Sequence, residues 1–160
     1  MSISLNIQQF LHSKLKTLKL TRQALIKGSG LTPSGVCGLM NAEYINPTLS
    51  SIIKIANFFN CSVDEVLGRD KYIKSSDTDR FLPLTQQDII ENIKTVLCTE
   101  LKTRNITATQ LSKACGIGKD TVSKFLNNTN ADYTFSIKTI LAISEFLSIS
   151  IDDLIGRDNS

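Results

Sequence analysis

Few side chains in this 160-residue sequence have the type and spacing needed for covalent chemistry. The single histidine, His12, lies in a lysine-rich stretch and reads as a surface residue. Cys37, Cys61, Cys98 and Cys115 form no CxxC pair and no paired Cys/His spacing. They read as structural or free thiols, and no metal is expected. Asp64-Glu65 and Asp152-Asp153 resemble paired acids. Each pair, however, opens a short predicted helix, where negative charge meets the positive end of the backbone dipole. With no nucleophile–base pair and no glycine-rich phosphate loop, the chain is not expected to be an enzyme, and no cofactor is called for.

The informative stretch is 106–127, ITATQLSKACGIGKDTVSKFLN. Thr107 opens a short helix, Leu111 sits on its apolar side, and Gly116 breaks the chain. A second short helix follows over 118–126, with Ile117, Val122 and Leu126 inward and polar residues outward. Two short helices joined by a tight glycine turn make a helix-turn-helix. Residues 20–41, LTRQALIKGSGLTPSGVCGLMN, repeat the pattern.

The repeat extends further. Residues 5–41 lie over 91–127, and 50–70 lie over 138–158, with NI, LKT and GRD identical in both copies. The shared positions are apolar ones at helical spacing and turn residues, which two copies of one fold must have in common.

The elements that carry these stretches are all helical. Segment 4–19 has an apolar face of Leu5, Ile7, Phe10, Leu11, Leu15 and Leu18. Thr21 caps the second helix, and Gly28 and Gly30 end it. Thr32 caps the third, with Pro33 at its first position, where a missing N–H is harmless. Thr48 and Ser62 cap the fourth and fifth. In the second copy the first helix runs from Thr85 to about Arg104, and Ser136 and Ser150 cap the fourth and fifth. The predicted organisation is a first domain over 1–70, a linker over 71–84 and a second domain over 85–160. Tyr72, Ile73, Phe81, Leu82 and Leu84 are too apolar for a free tether, so part of the linker is expected to pack on a domain or a second chain.

Composition agrees with a globular protein: 41% hydrophobic, 21% charged and a net charge of +3. The basic excess lies in residues 1–70, while 71–160 balance. No apolar run approaches the ~20 residues of a membrane span. The start MSISLNIQQF lacks a signal peptide's basic beginning, so a cytoplasmic, nucleoid-associated protein is expected.

The order T-x-x-x-L, turn glycine, x-x-x-x-V, polar loop, capped fourth helix and SVDEVLG or SIDDLIG fifth helix resembles the phage-repressor/Cro-type (XRE-like) domains. The resemblance covers nearly all of both repeats but not the linker. It implies an all-α tandem of two five-helix lambda-repressor-like domains, and double-stranded DNA as partner, read in the major groove. In the second copy the implied reading positions are Lys119, Asp120, Thr121, Ser123 and Lys124. Lysine can donate to guanine, Asp120 can accept from cytosine, and the threonine methyl can meet thymine. The plainer alternative is that the lysines only touch phosphate and Asp120 only serves the helix start.

In the first copy the matching residues are Pro33, Ser34, Gly35, Cys37 and Gly38, behind the cap Thr32. Either these small residues permit close backbone approach, or this copy has drifted toward phosphate contacts or a protein interface. The resemblance assigns phosphate contacts to Thr21, Arg22, Gln23 and Asn41, and to Thr107, Thr109, Gln110, Asn127 and Asn128. Thr21 and Thr107 read equally well as simple caps. The expected role is a bacterial or phage transcription regulator, a repressor, with two readers in one chain. A homodimer through the linker or helix-five region would instead bring four. The rival reading is a protein-interaction module, such as an antitoxin-like or co-regulator partner, with degenerate DNA binding in the first domain.

Overall fold

A hydroxyl side chain starts nearly every helix of this chain. The computed structural model describes residues 2–44, 46–73, 81–129 and 135–158. Among them are ten α-helices: α1 (Ile3–Leu18), α2 (Arg22–Ser29), α3 (Pro33–Met40), α4 (Leu49–Phe59), α5 (Val63–Val66), α6 (Gln86–Arg104), α7 (Ala108–Ala114), α8 (Thr121–Asn127), α9 (Ile137–Leu147) and α10 (Ile151–Ile155). At nine of the ten starts the preceding Ser or Thr accepts a backbone N–H of the first turn. Each such bond satisfies a donor that the helix itself leaves orphaned.

The chain divides into two compact units, Met1–Thr78 and Asp79–Ser160. The first holds α1–α5 around Ile7, Leu11, Leu25, Val36, Ile52 and Val66, all fully buried. The second holds α6–α10 around Ile93, Leu97, Leu111, Val122, Phe125, Ile140 and Leu154, equally buried. Both units are all-α and five-helical, and the described residues form no strand.

The same two devices close each unit. Asn6 on α1 donates its amide to the Leu67 carbonyl at 2.9 Å, and Asn92 on α6 donates to the Ile155 carbonyl at 3.0 Å. Behind them, Arg69 pairs with the buried Asp64, and Arg157 with the buried Asp152. So only one acid of each sequence pair is turned inward; Asp64 and Asp152 are counterions for the arginine of GRD as well as residues of a helix start. Gly68 and Gly156 follow the fifth helix with φ of +73° and +75°. This is the left-handed conformation that glycine adopts without steric cost.

Aromatic rings cover these arginines. Tyr72, in a 3₁₀ turn over Asp70–Tyr72, lies 4.2 Å from the Arg69 guanidinium, and Phe81 lies 4.1 Å from that of Arg157. Phe81 also makes an isolated antiparallel bridge with Asp158, and the Leu82 N–H donates to the Arg157 carbonyl at 2.9 Å. The apolar residues of the predicted linker therefore divide. Tyr72 and Phe81 pack on their own units, while Ile73 and Leu82 are exposed. Residues 74–80 of that linker, and 130–134 of the loop predicted after α8, lie outside the described residues.

Four expectations need correction. Leu5 and Leu18, placed on the apolar face of the first helix, are 44% and 51% exposed; the buried stripe is the narrower Ile7, Leu11 and Leu15. Gly28 lies inside α2, where its bare backbone faces the Phe58 ring, and Gly30 alone (φ +77°) terminates the helix. The inward residue near the end of α8 is Phe125, stacked 4.1 Å from Phe135, while Leu126 is only half-buried. Finally, the second reading helix begins at Thr121 rather than at 118. The residue matching the capping Thr32 is Gly118, which has no side-chain oxygen to offer.

Candidate nucleic-acid interface

In the first unit, α2 and α3 meet at the turn around Gly30. Thr21 Oγ1 accepts the Ala24 N–H at 3.1 Å, leaving Arg22 and Gln23 exposed in the first turn of α2. Thr32 Oγ1 accepts the Gly35 N–H at 3.0 Å and lies 3.3 Å from Ser34 Oγ. Ser34 is exposed and Gly35 half-buried. Gly38 is buried, with the Tyr44 ring lying across it. Asn41, exposed at the C-cap of α3, donates to Cys37 Sγ at 3.4 Å.

In the second unit, Thr107 and Gln110 form a reciprocal capping box at the start of α7. Thr107 Oγ1 accepts the Gln110 N–H at 3.1 Å, and Gln110 Oε1 accepts the Thr107 N–H at 2.8 Å. Thr109 is half-buried one residue inside. Lys119 and Asp120 sit exposed in the turn before α8. Asp120 occupies the N-cap and makes no side-chain capping bond there, so at the helix start it acts only through its charge. Thr121 opens the helix half-buried, and the Ser123 hydroxyl donates to the Asp120 carbonyl at 3.2 Å. Lys124 and Asn127 are exposed along the rest of α8. The fold thus gathers Lys119, Asp120, Thr121, Ser123, Lys124 and Asn127 on or beside one short helix, while Thr107 and Thr109 belong to the neighbouring α7.

Three contributors, Ser112, Lys94 and Gln8, were not singled out from the sequence, and His12 was read there only as a surface residue. Ser112, buried on α7, accepts the Val122 N–H at 3.2 Å. Lys94 on α6 donates to the Asn128 carbonyl at 2.6 Å, just beyond the end of α8. His12 and Gln8 on α1 reach the Met40 carbonyl at the end of α3, each at 3.1 Å. These bonds hold both ends of α8 and the far end of α3. A single-sequence signal was present for Lys94 only in its place on the half-polar side of a core helix.

A sequence model of the Cro/C1-type HTH DNA-binding domain matches residues 11–71 and, separately, 97–160. The chain belongs to the Cro/C1-type HTH family. Both matches contain the capped α2–α3 or α7–α8 pair just described. The Cro/C1-type chain is also similar to an uncharacterized HTH-type transcriptional regulator of Rickettsia prowazekii (strain Madrid E). Identity is 36% over 72 residues, covering 43% of this chain and 78% of the relative. A second uncharacterized HTH-type transcriptional regulator, of Rickettsia conorii (strain ATCC VR-613 / Malish 7), is 36% identical over 72 residues, covering 43% of this chain and 66% of its own. No solved structure matches the chain significantly. Among the described residues no helix is long and apolar enough to cross a membrane.

Proposed function

We propose that this chain is a sequence-specific DNA-binding transcription regulator of bacterial or phage type, acting as a repressor, with two reading helices per chain. Residues 1–70 and 85–160 are its reading domains, joined by 71–84. Lys119, Asp120, Thr121, Ser123 and Lys124 read base edges in the major groove, and Thr107, Thr109 and Asn127 hold phosphates beside them. In the first domain Arg22, Gln23 and Asn41 hold phosphates, and Thr32, Ser34 and Gly35 form the small-residue face that approaches the groove. Because the two faces differ, the expected site is asymmetric rather than palindromic.

The observation that carries this reading is the exposed, polar N-terminal end of α8, with Lys119 and Asp120 at its mouth and Lys124 one turn on. Selection of bound duplexes from a random pool tests it. A single enriched asymmetric motif, lost in Lys119→Ala with Lys124→Ala, is the expected result. Unaltered duplex binding in that double variant would remove α8 from the interface.

A protein-interaction module is the second reading, supported by the lack of long polar side chains on α3 and by exposed Ile73 and Leu82. It predicts a co-purifying protein partner and negligible duplex binding at low salt.

A further inference from the structure

We infer that Tyr44 is the specificity-determining side chain of the first reader, presenting its phenol hydroxyl to a base edge. The inference rests on the DNA-binding reading above. On α3, Ser34, Gly35 and Gly38 fall on one face, since residues three and four apart are neighbours on a helix. None of them projects a long side chain. At Gly38 the loop following α3 brings the hydroxyl end of the Tyr44 ring against the helix. A Cβ added to Gly38 would lie 2.3 Å from Tyr44 Cε2 and 2.9 Å from its hydroxyl oxygen. Yet Tyr44 keeps 43% of its surface exposed.

The ring also walls an open cleft of about 220 Å³ whose lining includes Gly35, Leu39, Thr48 and Ser51. In the second unit the residues matching Gly35 and Gly38 are Thr121 and Lys124, which carry polar side chains of their own. The first unit therefore places a bulky polar-tipped group there from the loop instead of from the helix. A tyrosine so seated has little rotamer freedom left to lose, and its hydroxyl can both donate and accept.

Duplex selection from a random pool, run in parallel on the full chain and on its Tyr44→Phe and Gly38→Ala variants, tests this. Tyr44→Phe keeps the ring and is expected to relax base preference at one position of the motif. It should weaken binding to the selected duplex about 3- to 10-fold, the range of one net hydrogen bond, with the melting profile unchanged. Gly38→Ala, which must displace the ring, should relax the same position. Unchanged base preference in Tyr44→Phe overturns the inference, whether affinity is retained or merely lowered as for a phosphate contact. If the unsubstituted chain selects no duplex, the DNA-binding reading fails and this inference with it. A normal motif in the unsubstituted chain that persists in Tyr44→Phe defeats the inference alone.

Discussion

Ser112 Oγ, buried on α7, accepts the backbone N–H of Val122 in the first turn of α8 at 3.2 Å. In the first unit the equivalent helix is capped from within by Thr32, and the residue matching Ser112 is Ile26. The second unit has Gly118 at the cap position, where the Thr121 N–H turns to the Gly118 carbonyl at 3.0 Å, and the next donor, the Val122 N–H, is taken by the neighbouring helix. Removing the Ser112 hydroxyl leaves a buried donor unpaired, which typically costs about 1–2 kcal/mol. Ser112→Ala should therefore lower the unfolding free energy of the second unit by that amount. Adding Gly118→Ser should recover part of the loss by restoring a local cap. Denaturant unfolding of the unsubstituted chain and these two variants checks this, and an inert Ser112→Ala would show the bond to be dispensable.

Asp152 and Arg157 are each about 1% exposed and lie 2.8 Å apart. Breaking such a pair strands a charge in the interior, at about 3–5 kcal/mol, whereas replacing both partners by apolar residues is often nearly neutral. Arg157→Met alone should thus destabilise the second unit severely. Asp152→Leu together with Arg157→Met should cost clearly less than the sum of the two single changes. Additive losses in the unfolding free energies would contradict the pairing.

Gly68 and Gly156 share a left-handed φ, but their surroundings differ. A Cβ on Gly156 would stand 2.3 Å from Asn92 Nδ2, against 3.2 Å from Asn6 at Gly68. Both alanine variants carry the left-handed penalty of roughly 1 kcal/mol. Gly156→Ala must in addition displace the amide that holds the Ile155 carbonyl, adding about 1 kcal/mol. The order of the two thermal shifts is the test: equal shifts would mean that Asn92 yields freely.

The Asp88 carboxylate accepts the Thr85 N–H at 2.9 Å, and this bond, with that to the Thr85 hydroxyl, holds its pKa below the ordinary aspartate value. A depressed folded-state pKa means the contribution is fully present above the unfolded value and is lost as pH falls through the lowered one. Asp88→Asn should melt earlier than the unsubstituted chain at neutral pH. The gap should narrow below about pH 4. Melting curves across pH 2–7 check this; a gap independent of pH would exclude the charge as its source.

For the DNA interface, each phosphate contact contributes about 0.9 to the slope of log affinity against log salt. If Lys119 and Lys124 both touch phosphate, their double alanine variant should reduce that slope by about 1.8. If they only read bases, affinity should fall while the slope is kept. Fluorescence anisotropy over a salt series separates the two.

The helices were legible in this sequence because what starts and stops them is local. Thr21, Thr32, Thr48, Ser62, Thr85, Thr107, Ser136 and Ser150 each cap a donor within three residues of themselves, and the repeat doubled the signal from the apolar spacing. The membership of each core was mostly legible for the same reason. The identical NI and GRD segments were visible as repeats, but their work was not. Asn92 reaches a carbonyl 63 residues away, and Arg157 meets both Asp152 and the ring of Phe81. Nor could spacing foresee that Gly118 would delay α8 to Thr121 while Ser112 took the Val122 N–H, or that Tyr44 would lie over Gly38. Those contacts depend on which surfaces the packed helices bring together. A chain read one window at a time carries propensity and periodicity, whereas a buried charge or an orphaned N–H finds its partner only once the core has closed around it.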